Sequence, residues 1–231
     1  MEYLVGIDEV GRAASKRRAS PKSFIIGIDE VGRGALAGPV VVAALAVPKG
    51  RRFHREIRDS KALAPLAREE FAKWIKNTGL TYAIARVYPC VIDRMNIARA
   101  ANLAAYRALR RLSDNLNLTK SHFVRLTGVS VYLDGGLYLK SKNYQNCERE
   151  SGLRARTVVK GDRKFNSVKL ASVVAKVNRD RYMVKLDKVY PRYGFRIHKG
   201  YGTKVHCKAI RKYGPSEVHR LTFVKKYLKM K

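Results

Sequence analysis

Residues 24–47 read FIIGIDEVGRGALAGPVVVAALAV: an apolar run closing on an acid, a glycine-rich loop, and a second, valine-rich apolar run. Runs this short, bounded by glycine and proline and rich in β-branched residues, form buried strands. Phe24 to Asp29 and Pro39 to Val47 are therefore predicted as two strands joined by the loop, with the folded body starting near Ser23. Helical spacing follows in Leu66 to Lys76, a strand in Leu80 to Tyr88, and one long Ala-rich helix over Ile92 to Leu112. Short strands are predicted at Val129 to Asp134 and Arg154 to Lys160. A second long helix starts near Ser167, where Ala171, Ala175, Tyr182, Leu186 and Val189 recur at three-, four- or seven-residue intervals. Strands in a run, then strands alternating with helices, indicate an α/β domain with a mixed sheet.

The chain of 231 residues carries 49 Lys and Arg against 18 Asp and Glu, a formal charge of +31. That excess exceeds what solubility needs and points to a polyanion; nucleic acid fits, because lysines and arginines along a groove release counterions from phosphates. From Arg196 onward eleven Lys or Arg face the single Glu217, making residues 191–231 a basic C-terminal extension of the folded domain at 23–190. A membrane partner is not expected: no amphipathic basic helix is found, and the longest apolar stretch, Pro39 to Pro48, is too short to span a bilayer. Cys90, Cys147 and Cys207 lie far apart without zinc or disulfide spacing, and no apolar leader follows Glu2, so a cytoplasmic protein is expected.

In so basic a chain, acids on apolar strands stand out. Asp29 ends the first strand, Asp134 ends another in YLDGG, and Asp162 follows a third in VVKGD. Strand ends beside glycines are where α/β sheets present groups to ligands, although a lone strand-end Asp is more often a cap or turn residue. Glu30 can join Asp29 only if it lies past the strand end, since consecutive strand residues point to opposite faces. Four converging carboxylates repel one another and call for divalent cations, and an all-oxygen set without His or Cys favours Mg²⁺ or Mn²⁺. In a basic protein such a cluster suits two-metal phosphodiester hydrolysis.

These residues resemble a known family, prokaryotic ribonuclease HII, the type 2 ribonuclease H. The segments are GIDEVGRGALAGPVVVAA from Gly27, DSKAL from Asp59, MNIARA from Met95, YLDG from Tyr132, KGD with SVVAKVNRDRY between Lys160 and Tyr182, and YPRYGFRIHKGYGT with GPSEVHR from Tyr190 to Arg220. The resemblance implies a ribonuclease H-like fold: a five-stranded mixed sheet flanked by helices, with a C-terminal helical extension. It implies hydrolysis of RNA in RNA·DNA hybrids, and incision 5′ of single ribonucleotides embedded in duplex DNA, leaving 3′-hydroxyl and 5′-phosphate ends. Asp29, Glu30, Asp134 and Asp162 then match the family's metal-binding acids. Gly32, Arg33 and Gly34 match the loop whose backbone contacts the ribose 2′-hydroxyl, and Tyr201 the tyrosine packing on the sugar at the junction. Lys61 and Lys160 match phosphate contacts, whereas His198, His206 and His219 are expected to pack or touch phosphate. A monomer is expected. Asn166 and Lys169-Leu170 depart from the family's usual proline and Ala-rich helix start.

GIDEVGR occurs twice, from Gly6 and from Gly27, and only the second copy continues into the second glycine of GRG and an apolar strand. The chemistry is therefore assigned to Asp29 and Glu30 rather than Asp8 and Glu9. Residues 1–22 are expected to be a flexible basic extension; a sharper alternative has the first copy compete for the second's place in the sheet. Two other readings of the chain stay open from the residues alone: another nuclease of the ribonuclease H fold, such as a junction resolvase, and a basic nucleic-acid-binding protein whose acids are structural.

Overall fold

A computed structural model describes residues 10–11, 23–57, 63–116, 129–139 and 154–228. Five strands form a mixed sheet: β2 (Phe24–Val31), β3 (Val40–Pro48), β4 (Thr81–Val87), β5 (Ser130–Asp134) and β6 (Arg154–Val158). A two-residue strand, β1 (Val10–Gly11), adds to the edge, giving the order β1-β4-β3-β2-β5-β6. β2, β3 and β4 pair antiparallel, while β5 and β6 run parallel to β2.

Both sheet faces are covered, which explains why β3 reads as an unbroken apolar run rather than an alternating one. Val40, Val42, Ala44 and Ala46 pack toward helix α3 (Ile97–Asn115), whose Ala100, Ala101, Ala104, Ala105 and Ala108 form a smooth face. Val41, Ala43, Leu45 and Val47 pack toward α1 (Pro65–Asn77) and the long helix that follows β6.

That helix, α5 (Asn166–Val189), is preceded by α2 (Pro89–Met95), α3 and the four-residue α4 (Gly161–Lys164). It crosses β2 so closely that a methyl group on Gly27 would lie 2.1 Å from the carbonyl carbon of Ser167. The C-terminal extension holds a 3-10 turn (Pro191–Tyr193), α6 (Phe195–His198), α7 (Lys204–Tyr213) and α8 (Leu221–Leu228).

The expected five-stranded mixed sheet with flanking helices is thus found, with local differences. The single helix expected over Ile92 to Leu112 is two helices, broken at Asn96. This residue adopts φ 69° and its side chain accepts a hydrogen bond from Arg99 N at 3.0 Å, so it caps α3. The strand expected to reach Lys160 ends at Val158, because Lys160 turns the chain in the left-handed region.

Candidate active site

Glu30 does not lie past the strand end, as the sequence had suggested. Asp29, Glu30 and Val31 all remain paired with β3, opposite Ala43, Val42 and Val41. The pleat therefore sends Asp29 to the α5 face and Glu30 to the α3 face. Asp29 is buried, hydrogen-bonds Ser172 of α5, and accepts the backbone N–H of Glu30 at 2.7 Å. Burial, then the charges of Glu30 and Asp134, push its carboxyl up to about 8. Burial also pushes Glu30 up, opposed chiefly by Arg33, whose guanidinium stands 3.4 Å from Oε1. The other oxygen, Oε2, is buried without a hydrogen-bond partner among the described residues.

Asp134 closes β5, the parallel neighbour of β2. The register pairs Ile28 with Leu133, so the next step places Asp29 alongside Asp134. Asp134 Oδ1 accepts the backbone N–H of Gly161 at 2.7 Å, which ties it to the turn bearing Asp162. Asp162 is buried in the first turn of α4. Asp29, Glu30 and Asp134 thus lie at one end of the neighbouring strands β2 and β5, with Asp162 on the turn bonded to Asp134.

They do not form a finished ligand shell: among the described residues, no three His, Cys, Asp or Glu side chains come together closely enough to hold one metal ion. The donor chemistry nevertheless fits a hard divalent cation. The donors are oxygens only, Glu30 Oε2 has no hydrogen-bond partner among the described residues, and burial, together with neighbouring carboxylates, raises Asp29 toward its neutral form.

The loop after β2 separates the two glycines of GRG. Gly32 has φ 87°, and a methyl group there would lie 2.1 Å from Arg179 Nε; among the described residues nothing lies within 4 Å of a methyl group on Gly34, which is exposed. Gly32 is required by the fold, whereas Gly34 leaves open space for a ligand to approach. Arg33, paired with Glu30, also lies against Gly136, where a methyl group would come within 2.7 Å of Nη1. Tyr201 is half-buried, with Arg179 Cζ 5.2 Å and Lys176 Nζ 5.9 Å from its ring centroid. Lys160 is exposed beside the Asp162 turn. Lys61 lies outside the described residues.

The family model described as Ribonuclease HII matches residues 26–226. The chain belongs to the ribonuclease HII family. Similar proteins include the ribonuclease HII of Caldicellulosiruptor bescii, 40% identical over 228 residues, with 99% of this chain and 89% of that one covered. That of Alkaliphilus metalliredigens is 38% identical, with 99% and 93% covered. Among solved structures, the ribonuclease H2 of Pyrococcus horikoshii matches with a TM-score of 0.62 at 24% identity, over 89% of this chain and 97% of that one. Bst-RNase HIII in complex with Mn²⁺ matches with a TM-score of 0.65 at 20% identity, over 92% and 72%. Likeness at that identity is one of fold. The chain is accordingly an endonuclease of the hydrolase class, in a family that acts on RNA in RNA·DNA hybrids.

Within this ribonuclease HII-family site, sequence reasoning missed Ser172, Gly136, Arg179 and Arg220. Arg179 could have been found: it falls four residues after Ala175 in the stripe Ala171, Ala175, where an apolar residue is expected. A charge on the apolar stripe of a helix has to be explained. The expected packing histidines are seen: His198, His206 and His219 are buried, and the His206 ring stacks on His198 at 4.3 Å. Burial, the largest cause at each, holds His206 and His219 down at about 4, so they are neutral packing groups at pH 7.

Proposed function

We propose that the chain hydrolyses RNA in RNA·DNA hybrids and incises ribonucleotide-containing duplex DNA 5′ of a single ribonucleotide, leaving 3′-hydroxyl and 5′-phosphate ends. Asp29, Glu30, Asp134 and Asp162 would hold Mg²⁺ or Mn²⁺. The bound metal would supply water activation and charge stabilisation at the leaving 3′ oxygen. The observation that carries this reading is the mutual coupling of Asp29, Glu30 and Asp134 at one end of β2 and β5, next to a loop whose Gly34 faces open space.

The chain's own residues divide the remaining work. Gly34 lets the backbone approach the ribose 2′-hydroxyl, the group that separates RNA from DNA. Arg33 balances Glu30 and stands within reach of a phosphate; Lys160 and, from its sequence position, Lys61 add phosphate contacts. Tyr201 offers a ring for the adjoining sugar. Residues 23–190 act as the catalytic unit, 191–231 as a basic extension adding substrate contacts, and 1–22 as a terminal extension. The protein works as a monomer in the cytoplasm; no helix among the described residues is long and apolar enough to cross a membrane.

The test is Mg²⁺-dependent cutting of a DNA duplex carrying one ribonucleotide, compared with Asp29→Asn. Incision 5′ of the ribonucleotide that disappears in the variant supports the proposal. Binding without cutting, steeply weakened by salt, would instead mark a nucleic-acid-binding protein.

A further inference from the structure

Two guanidiniums lie in the interior of the molecule. Arg179 and Arg220 are each fully buried, and every hydrogen bond they make among the described residues goes to a backbone carbonyl. Arg220 Nη2 donates to Gly32 O at 2.7 Å and to Gly38 O at 3.0 Å, Nη1 to Arg33 O at 2.9 Å, and Nε to Gly38 O at 3.1 Å. It therefore grips both ends of the loop between β2 and β3. Arg179 Nε donates to Pro39 O at 3.0 Å and Nη2 to Ala37 O at 3.2 Å. Its Nη1 donates to Lys199 O at 2.9 Å, two residues before Tyr201. The same guanidinium lies 5.2 Å from the centroid of the Tyr201 ring.

Burying two like charges is costly, and well-packed apolar residues would fill the same volume at lower cost. What an apolar pair cannot do is hold six carbonyls from three separate segments in one arrangement. The backbone adds to the tie: Leu36 N donates to Gly200 O, and Arg220 N to Leu36 O, each at 2.8 Å. Gly32 and Gly200 carry no side chain where one would strike Arg179 Nε or Ala37 O, so the loop lies directly against its clamp.

We propose that Arg179 and Arg220 are positioning residues for sugar discrimination, locking the Gly32–Gly34 loop and the Tyr201 segment into a single rigid reader. The proposal rests on the reading that this loop and Tyr201 contact the ribose and its neighbour. Lysine cannot replace either arginine, because an ammonium is a point donor and lacks the planar fork that reaches carbonyls on several sides.

The experiment measures affinity in an Asp29→Asn background with Mg²⁺, for an all-DNA duplex and for the same duplex carrying one ribonucleotide, alongside melting temperature. The background protein is expected to prefer the ribonucleotide duplex. Arg220→Lys and Arg179→Lys should each cut that preference about tenfold while changing affinity for all-DNA duplex, set by phosphate contacts, less than about threefold. A preference that survives in both folded variants overturns the clamp alone. Equal binding of the two duplexes by the background protein overturns the sugar-reading assumption, and the clamp with it. Failure of both lysine variants to fold also overturns it, leaving the arginines as structural ties.

Discussion

A methyl group on Gly32 would lie 2.1 Å from Nε of Arg179, whereas one on Gly34, two residues on, would meet none of the described residues within 4 Å. The two glycines of one short motif therefore answer to different demands. Gly32→Ala combines a collision in the core with a φ of 87° that alanine rarely adopts, and should lower the melting temperature by several degrees, on the order of 2–4 kcal/mol. Gly34→Ala should melt as the native protein does and lose incision at an embedded ribonucleotide. Equal melting temperatures for the two variants would show that the loop does not rest on Arg179.

Asp29 gives stability a distinctive pH dependence. Its carboxyl stands at about 8 in the folded protein, against an ordinary value of 3.8. The folded state thus binds more protons than the unfolded state between these values, and stability falls as pH rises from about 4 to about 8. In buffer containing a chelator, melting temperature should drop across this window, and Asp29→Asn should flatten most of the slope. Glu30, raised in the same direction, leaves a remainder. A slope identical in native and variant proteins would contradict the burial of an ionisable Asp29.

Gly136 makes room for Arg33, with Nη1 within 2.7 Å of where a methyl group would stand. Because the obstacle is the end of a flexible side chain, Gly136→Ala should fold normally and displace Arg33 instead. The expected result is a raised KM for nucleic acid, by about tenfold, at an unchanged melting temperature, consistent with the loss of one charge-assisted contact. A normal KM would mean that Arg33 does not touch the substrate.

The carboxylate of Asp93 on α2 accepts the backbone N–H groups of Leu221 at 2.8 Å and of Thr222 at 3.0 Å, and the Thr222 hydroxyl as well. It caps α8 from a different part of the fold. Asp93→Ala should cost about 1–2 kcal/mol. Hydrogen exchange should show faster opening confined to residues 221–228; uniform exchange across the protein would argue against a local cap.

Val10 and Gly11, from the first GIDEVGR copy, pair with Ala83 and Tyr82 on the outer edge of β4. Two strands separate that edge from β2 and its acids, whereas Asp8 and Glu9 lie outside the described residues. Deleting residues 1–22 should leave incision unchanged and uncover a strand edge that promotes self-association, measurable by light scattering. Lost incision in a folded deletion variant would assign catalytic work to the first copy.

Patterns of period and composition told the α/β class, the strands at Phe24 and Val40, the long helix after Asp162 and the acids at strand ends from sequence, because each is a local property. The same local logic misplaced Glu30, since no sequence pattern says how far pairing with β3 will carry β2. It also merged α2 with α3, since a single Asn in the left-handed region breaks a helix without changing its apolar period. The family motifs brought Asp29, Glu30, Asp134 and Asp162 into one expected site. Only the tertiary structure decided that Glu30 leaves the opposite face from Asp29, that Gly32 and Gly34 serve different ends, and that Arg179 and Arg220 grip the loop between them. The first rests on how far β2 stays paired with β3, and the contacts of Arg179 and Arg220 join residues more than a hundred positions apart, where distance in space is set by packing and cannot be read from order in the chain.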